Sequence, residues 1–371
     1  MKEINIANTI IQMRKEKGIT QDNLAEYIGV SKASVSKWET GQSYPDITFL
    51  PLLAAYFNIS IDDLIGYSPQ MPTEGIRKLY HQLSGDFANK PFDSVMGNCR
   101  EIVKKYYSCY PLLIQIGALY INYGMALKDA EKTASVITEA KELFIRVKNE
   151  SNDVELSKQA LSLEATCALA LGDPDEVLAL LEGQMRPHGS PEGLLASAYQ
   201  MSGKIKEAKA VLQVGVYQHM LSLLSLLPPY LILCTDEPGK YNEIYKRSLA
   251  IAEAFDIEKL HPAMLIPLYI YAAQGYVATG DKETALDILQ KYTELVTGAI
   301  YPLRLKGDSF FDLIDSWLEE FPLGTELPRD EKTVKQSMAE ALSDNPAFSK
   351  LMGERRFQNI VKRLKGNVLV G

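Results

Sequence analysis

The chain has 371 residues, is 46% hydrophobic and 23% charged, and carries a net charge of −8. That length exceeds one typical core, and the composition excludes a disordered chain. The acidic balance excludes binding of nucleic acid by bulk charge and leaves room for a local basic surface.

The N-terminus, "MKEINIANTIIQMRKEKG", is charged early and amphipathic, unlike a signal peptide. Residues 1–66 hold six Lys/Arg and eight Asp/Glu, a net of −2, so a DNA-reading role here needs a locally basic face. Five short helices are predicted. The first carries Ile6, Ile10 and Met13 on one face and stops at Gly18. Thr20 caps the second, Gln21 to Ile28. Gly29 permits a left-handed turn, and Ser31 caps the third, Lys32 to Thr40. Asp46 caps the fourth, and "SIDDL" from Ser60 is a capping box for the fifth. Spacing adds to this. Ala25 is the small residue that lets two helices cross closely, Gly29 makes the tight turn, and Val35 with Trp38 anchors the second helix. That is the pattern of a helix-turn-helix whose second helix is free to enter a major groove.

The stretch "TQDNLAEYIGVSKASVSKWETGQSYP", with the trailing "LAAYFNISIDDLIG", resembles the Xre-type, phage-repressor-like helix-turn-helix family over about 60 residues. The resemblance implies double-stranded DNA as partner and assigns roles. Gln21 meets backbone phosphate and a base. Lys32, Ala33 and Lys37 sit at base-reading positions, where a Lys can donate to guanine and an Ala can touch a thymine methyl. Ser34 and Ser36 add polar contacts. Thr20, Ser31, Thr40, Gln42 and Tyr44 lie at helix ends and in the loop, where phosphate is met. Arg14 and Glu39 match a buried ion pair tying helix 1 to helix 3. The loop "TGQSYPD" lacks the Lys or Arg that many relatives place there. Weak binding by one copy is therefore expected, with a symmetric homodimer on an inverted-repeat operator.

"GYSPQMPTEG", Gly66 to Gly75, reads as a linker. Beyond it β-type alternation is absent and self-similarity appears. "LLASAYQMSGKIKEAKAVL" and "YAAQGYVATGDKETALDIL" share an aromatic (Tyr199, Tyr276), a Gly four residues on (Gly203, Gly280) and an Ala five beyond (Ala208, Ala285). Weaker copies place Gly172 thirty-one residues before Gly203, and Gly117, Tyr120 and Gly124 upstream. Leu223 to Phe255 fills the gap as a degenerate unit. These units resemble tetratricopeptide repeats, which stack helix pairs into a right-handed superhelix with a concave groove. The most apolar run, Met220 to Cys234, is too short to span a bilayer. Interrupted by Pro228-Pro229, it reads as two buried helix ends meeting at a turn. "NPAFSKLMGERRFQNIVKRLKG", from Asn345, reads as a terminal capping helix pair.

The predicted fold is therefore all-α. A helix-turn-helix domain occupies 1–66, a linker 67–75, tetratricopeptide-like repeats 76–324 and a helical cap 325–371. Cys99, Cys109, Cys167 and Cys234 are scattered, without a C-x-x-C pair, and read as free thiols in a reducing cytosol. The four His offer no metal-ligand spacing, so no metal and no cofactor is expected. No catalytic motif appears, and acidic pairs such as Asp62-Asp63 and Glu319-Glu320 sit in helix-cap or helix-surface settings.

With an N-terminus unlike a signal peptide and no run long enough to span a bilayer, a soluble cytoplasmic protein is expected. A DNA-reading head on a repeat array resembles the peptide-responsive regulators of bacteria, in which the repeats dimerise and hold a short peptide. By register, groove positions include Ile114, Ala118 and Ile121, then Ser162 and Thr166, Ser197 and Gln200, Ile270 and Gln274, with Asn122 close by. The same residues are equally read as packing or solvated surface. Repeats that only dimerise and grip a protein partner, as in a regulator without a small ligand or an antitoxin, are the alternative.

Overall fold

The computed structural model describes residues 5–67, 70–182, 191–298, 301, 304–326 and 328–368. Every regular element among them is a helix, as expected. The first five are α1 (Ile6–Glu16), α2 (Gln21–Ile28), α3 (Lys32–Glu39), α4 (Leu50–Phe57) and α5 (Ile61–Ile65). They are followed by α6 (Thr73–Asn89), α7 (Phe92–Lys105), α8 (Tyr110–Gly124), α9 (Ala130–Glu150), α10 (Val154–Ala170) and α11 (Pro174–Leu181). Then come α12 (Pro191–Met201), α13 (Ile205–Leu233), α14 (Pro238–Ala254), α15 (Ile257–Leu260), α16 (Leu265–Thr279) and α17 (Lys282–Thr297). The last are α18 (Asp315–Glu319), α19 (Glu331–Ser343) and α20 (Arg355–Val368). The chain divides into two compact units. One comprises 1–76, 92–121 and 128–171; the other comprises 77–91, 122–127 and 172–371.

In the first unit, α1–α5 enclose a core of their own, built on Ile6, Ile10, Leu24, Val35, Trp38, Leu53, Phe57 and Leu64. Local chemistry sets the helix limits. Thr20 and Ser60 each form a reciprocal capping box, and Ser31 accepts from the Ser34 amide. Asp46 caps a 3₁₀ turn, Ile47–Phe49, that leads into α4. The Asn5 amide donates to the Ile65 carbonyl at 3.0 Å and draws the two ends of this segment together. In the stretch read as a linker, Ser68 and Pro69 lie outside the described residues. Gln70 Nε2 donates to the Ser108 carbonyl at 3.1 Å, and the Met71 amide donates to Cys109 Sγ at 3.3 Å. Helix α6 already begins at Thr73.

The self-similar frames fall on α8, α10, α12 and α16 as first helices. Gly172, Gly203 and Gly280 close three of these with φ of 77°, 74° and 91°, a backbone that favours glycine. Gly124 does not share it. Close pairs run along α9–α10, α12–α13 and α16–α17. Lys148 pairs with the buried Glu164 at 2.6 Å between α9 and α10. Two glycines allow close approach. A Cβ on Gly117 would lie 2.5 Å from the Phe144 ring, and one on Gly275 would enter the Tyr241 ring. Tyr241 in turn donates to the Ala272 carbonyl at 2.8 Å.

The run from Met220 is not two helix ends meeting at a turn. It belongs to the single 29-residue helix α13, with Pro228 and Pro229 inside it. Each internal proline leaves the carbonyl four residues back unbonded, at a cost of about 3 kcal/mol or more. Burial of flanking side chains, about 1.5–3 kcal/mol each, offsets that cost, and Tyr217, Met220, Leu224 and Leu231 all lie in the core of the second unit. By length and composition alone α13 is long and apolar enough to cross a membrane. The same unit receives the C-terminal segment. The stretch from Asn345 is not a helix pair but a 3₁₀ turn, Pro346–Leu351, followed by α20. Helix α20 packs on α19 and α17, with Arg356 bridging Glu283 (2.8 Å) and Asp287 (2.6 Å). All four cysteines are buried and none is in a disulfide; burial pushes the Cys167 thiol up to about 12.

Replacing Gly117 with Ala forces the Phe144 ring aside and is expected to destabilise the protein by about 1–3 kcal/mol. Chemical denaturation followed by circular dichroism checks this, and an unchanged midpoint would show that the ring moves freely.

Candidate nucleic-acid interface

Helix α3 has two faces. Val35, Trp38 and Glu39 are buried, at 0, 5 and 8% exposure. Lys32, Ala33 and Lys37 are exposed on the other side. Gly29, with φ of 80°, turns the chain between α2 and α3. Ala25, 3% exposed, lies in the core of the five-helix segment as the spacing suggests. Trp38 packs on Phe49 with ring centroids 5.9 Å apart.

A buried carboxylate fixes the angle of this helix. Arg14 Nε and Nη2, from α1, donate to Glu39 Oε1 at 2.6 Å and Oε2 at 3.1 Å. Arg14 Nη1 also holds the Ile19 carbonyl at 2.9 Å. Gln21 Nε2, from α2, donates to Glu39 Oε2 at 2.8 Å. Burial alone would raise the Glu39 pKa; the hydrogen bonds from Arg14 and Gln21 outweigh it and hold the carboxyl below its usual range. The guanidinium of Arg14 is held above its ordinary value, first by its bond to Glu39.

The residues expected to meet DNA differ in how free they are. Lys37 is exposed, and its ammonium makes no hydrogen bond or ion pair among the described residues, although its carbonyl accepts from the Gln42 amide at 2.9 Å. Lys32 is exposed but faces Asp22 Oδ2 of α2 at 2.7 Å. Gln21 is half-buried with its amide nitrogen on Glu39, which leaves its oxygen. Ser31 and Ser34 share a bond of 2.9 Å between their hydroxyls. Thr40 donates to the Ser36 carbonyl at 2.9 Å, and Ser36 is half-buried. Thr20, Gln42 and Tyr44 are exposed, Tyr44 at 59%. The spacing did not disclose Asp22 as a partner of Lys32, nor Gln21 as a second donor to Glu39. Both pairings join residues on different helices.

The helix-turn-helix family model matches residues 10–64. Residues 10–64 are a helix-turn-helix domain. Over 54 residues this domain is 41% identical to the HTH-type transcriptional activator BcrR of Enterococcus faecalis, covering 15% of this chain and 26% of BcrR. Over 55 residues it is 34% identical to the uncharacterized HTH-type transcriptional regulator YobD of Bacillus subtilis (strain 168), covering 15% of this chain and 49% of YobD. The chain thus spans about a quarter and about half of these two relatives. Among solved structures, Bacillus thuringiensis PlcR in complex with the peptide PapR7 and DNA shows 15% identity and a TM-score of 0.32, covering 79% of this chain and 94% of PlcR. The apo form of ComR from S. thermophilus shows 13% identity and a TM-score of 0.23, covering 80% and 94%.

The groove candidates divide between the two units. In the first, Ile114 is 1% exposed and belongs to the core, so it does not line a groove. Ala118 and Ile121 are half-buried, and Ser162 and Thr166 are exposed. In the second, Asn122 is half-buried and donates to Tyr80 Oη at 3.3 Å. Ser197 and Gln200 are exposed; Ile270 and Gln274 are half-buried. Thr166 and Ser197 donate to carbonyls of their own helices, Ser162 and Gly193, both at 2.9 Å.

Because the folded-state pKa of Glu39 is depressed, its contribution to stability is present above the ordinary carboxylate value of about 4.3. It is lost as pH falls through the lower folded-state value. Replacing Glu39 with Ala leaves Arg14 without its buried partner and is expected to cost about 3–5 kcal/mol at neutral pH. The acid-dependent share of that difference should vanish below the folded-state value. Denaturant titrations of both proteins at neutral and acid pH check this; a difference that does not change with pH would refute it.

Proposed function

We propose that the protein is a sequence-specific DNA-binding regulator of transcription, working in the cytoplasm as a homodimer on an inverted-repeat operator. The observation that carries this reading is the split character of α3, whose buried face is locked by Trp38 and Glu39 while Lys37 stands unpaired on the opposite side. The names of BcrR and YobD as transcriptional regulators support it over the helix-turn-helix domain. On this reading Lys32, Ala33 and Lys37 meet base edges. Thr20, Gln21, Ser31, Ser34, Ser36, Thr40, Gln42 and Tyr44 position the backbone.

The remaining assignments are part of the same proposal. A head of residues 1–66 joins through 67–75 to repeats over 76–324 and a cap over 325–371. The repeats hold a short peptide or a protein partner at Ala118, Ile121, Asn122, Ser162, Thr166, Ser197, Gln200, Ile270 and Gln274. Exposed hydroxyl and amide groups at Ser162, Thr166, Ser197 and Gln200 suit an extended backbone, which asks for uncharged hydrogen-bonding partners. Native mass spectrometry of the protein purified from its own host separates the alternatives. A retained mass of peptide size supports the sensor, and a retained protein chain supports the partner reading.

Replacing Lys37 with Ala is expected to cost about 1–3 kcal/mol at one base pair and to relax specificity there. Binding to a panel of single-substitution operators measures this. A uniform loss across the panel would make Lys37 a phosphate contact instead. The 1–66 fragment is expected to bind one half-site far more weakly than the full chain binds the whole operator. Equal affinities would remove the need for a dimer.

A further inference from the structure

Helix α13 is apolar on two sides. One side is buried in the core of its unit. On the other, nine exposed positions from Ile205 to Leu233 step alternately by four and three residues without a break. Seven of them are Ile, Leu, Val or Tyr; the other two are Lys209 and His219. Exposure within the stripe reaches 46% at Leu223, 66% at Leu226 and 78% at Leu233. A stripe that followed the 3.6-residue turn of a straight helix would drift round the axis. A strict 3.5-residue repeat over four heptads keeps facing one partner helix in a left-handed supercoil.

We propose that this stripe is a dimer seam, packed against the same stripe of a second copy of the chain. The proposal rests on the homodimeric reading above and assigns it an interface. Three observations favour a second copy over other occupants. First, no Lys, Arg, Asp or Glu lies between Lys209 and Asp236, so no like charges meet over most of the seam when it faces itself. Second, a helix lying on a membrane carries Lys and Arg beside its apolar face, and this stretch has none; Tyr217, Met220 and Leu224 are buried against helices of which none among the described residues is long and apolar enough to cross a membrane beside it. Third, side chains left about half exposed along the stripe offer on the order of 800 Å² per chain, which is what one partner contributes to a stable interface.

His219 stands at the middle of the stripe, with Nε2 3.8 Å from Glu192 Oε1 of its own subunit. It is the polar position in an apolar seam, so it weakens the dimer. Sedimentation analysis of the full-length protein tests the assignment. The wild type is expected at twice 41.4 kDa. The double variant Leu223→Glu, Leu226→Glu is expected to weaken the dimer by at least about tenfold without changing the thermal melt, because both side chains are exposed. His219→Leu is expected to tighten it severalfold, and it adds no charge that could disturb folding. A dimeric wild type whose affinity neither variant changes would overturn the seam and leave the homodimer standing. A wild type that is monomeric both alone and on inverted-repeat DNA would overturn the homodimer and the seam with it.

Discussion

Three helices of the N-terminal segment meet at one carboxylate. Glu39 accepts from Arg14 of α1 and from Gln21 of α2 while belonging to α3 itself. An eight-residue helix is too short to hold its shape in water unaided, so α3 takes its position from what it is fastened to. Trp38 gives it depth and Glu39 gives it rotation. The two lysines on the outer face therefore project in directions set by an interaction on the inner face. A carboxylate suits this task because a guanidinium fork binds it along two lines at once. An apolar contact fixes distance but leaves rotation loose.

Electrostatics around that outer face are sparing. Of the two lysines on α3, one is paired with Asp22 on the neighbouring helix. At about 60% exposure on both sides, such a pair is worth little to stability. Its effect is to lower the positive field that would otherwise attract any phosphate backbone. The surface is thus weighted towards contacts that depend on shape and hydrogen bonding over those that depend on charge.

Much of the five-helix segment was legible because its signals are local. Thr20, Ser31 and Ser60 bond to amides three residues on, and Gly29 answers a backbone requirement of its own position. The Arg14–Glu39 pair was legible only through family resemblance, since twenty-five residues separate the partners. Asp22 with Lys32 stayed hidden because it depends on the crossing of α2 and α3. In the self-similar segments, the glycines that make turns could be read from their spacing. Gly275 could not, because the ring that needs its missing Cβ, Tyr241, sits on another helix. The Pro228-Pro229 pair misled for the opposite reason: a local rule that breaks helices was outweighed by core packing on both sides of it. Ile114 was placed in a groove by register, and register alone does not fix which side of a first helix faces inward.

The joint after α5 has an energetic consequence. Two hydrogen bonds, from Gln70 to Ser108 and from Met71 to Cys109, tie the chain to the turn that precedes α8. Each such bond is worth about 0.5–1.5 kcal/mol net. Breaking both therefore costs about 1–3 kcal/mol, so this pair of bonds holds with about the strength of one fully buried apolar side chain.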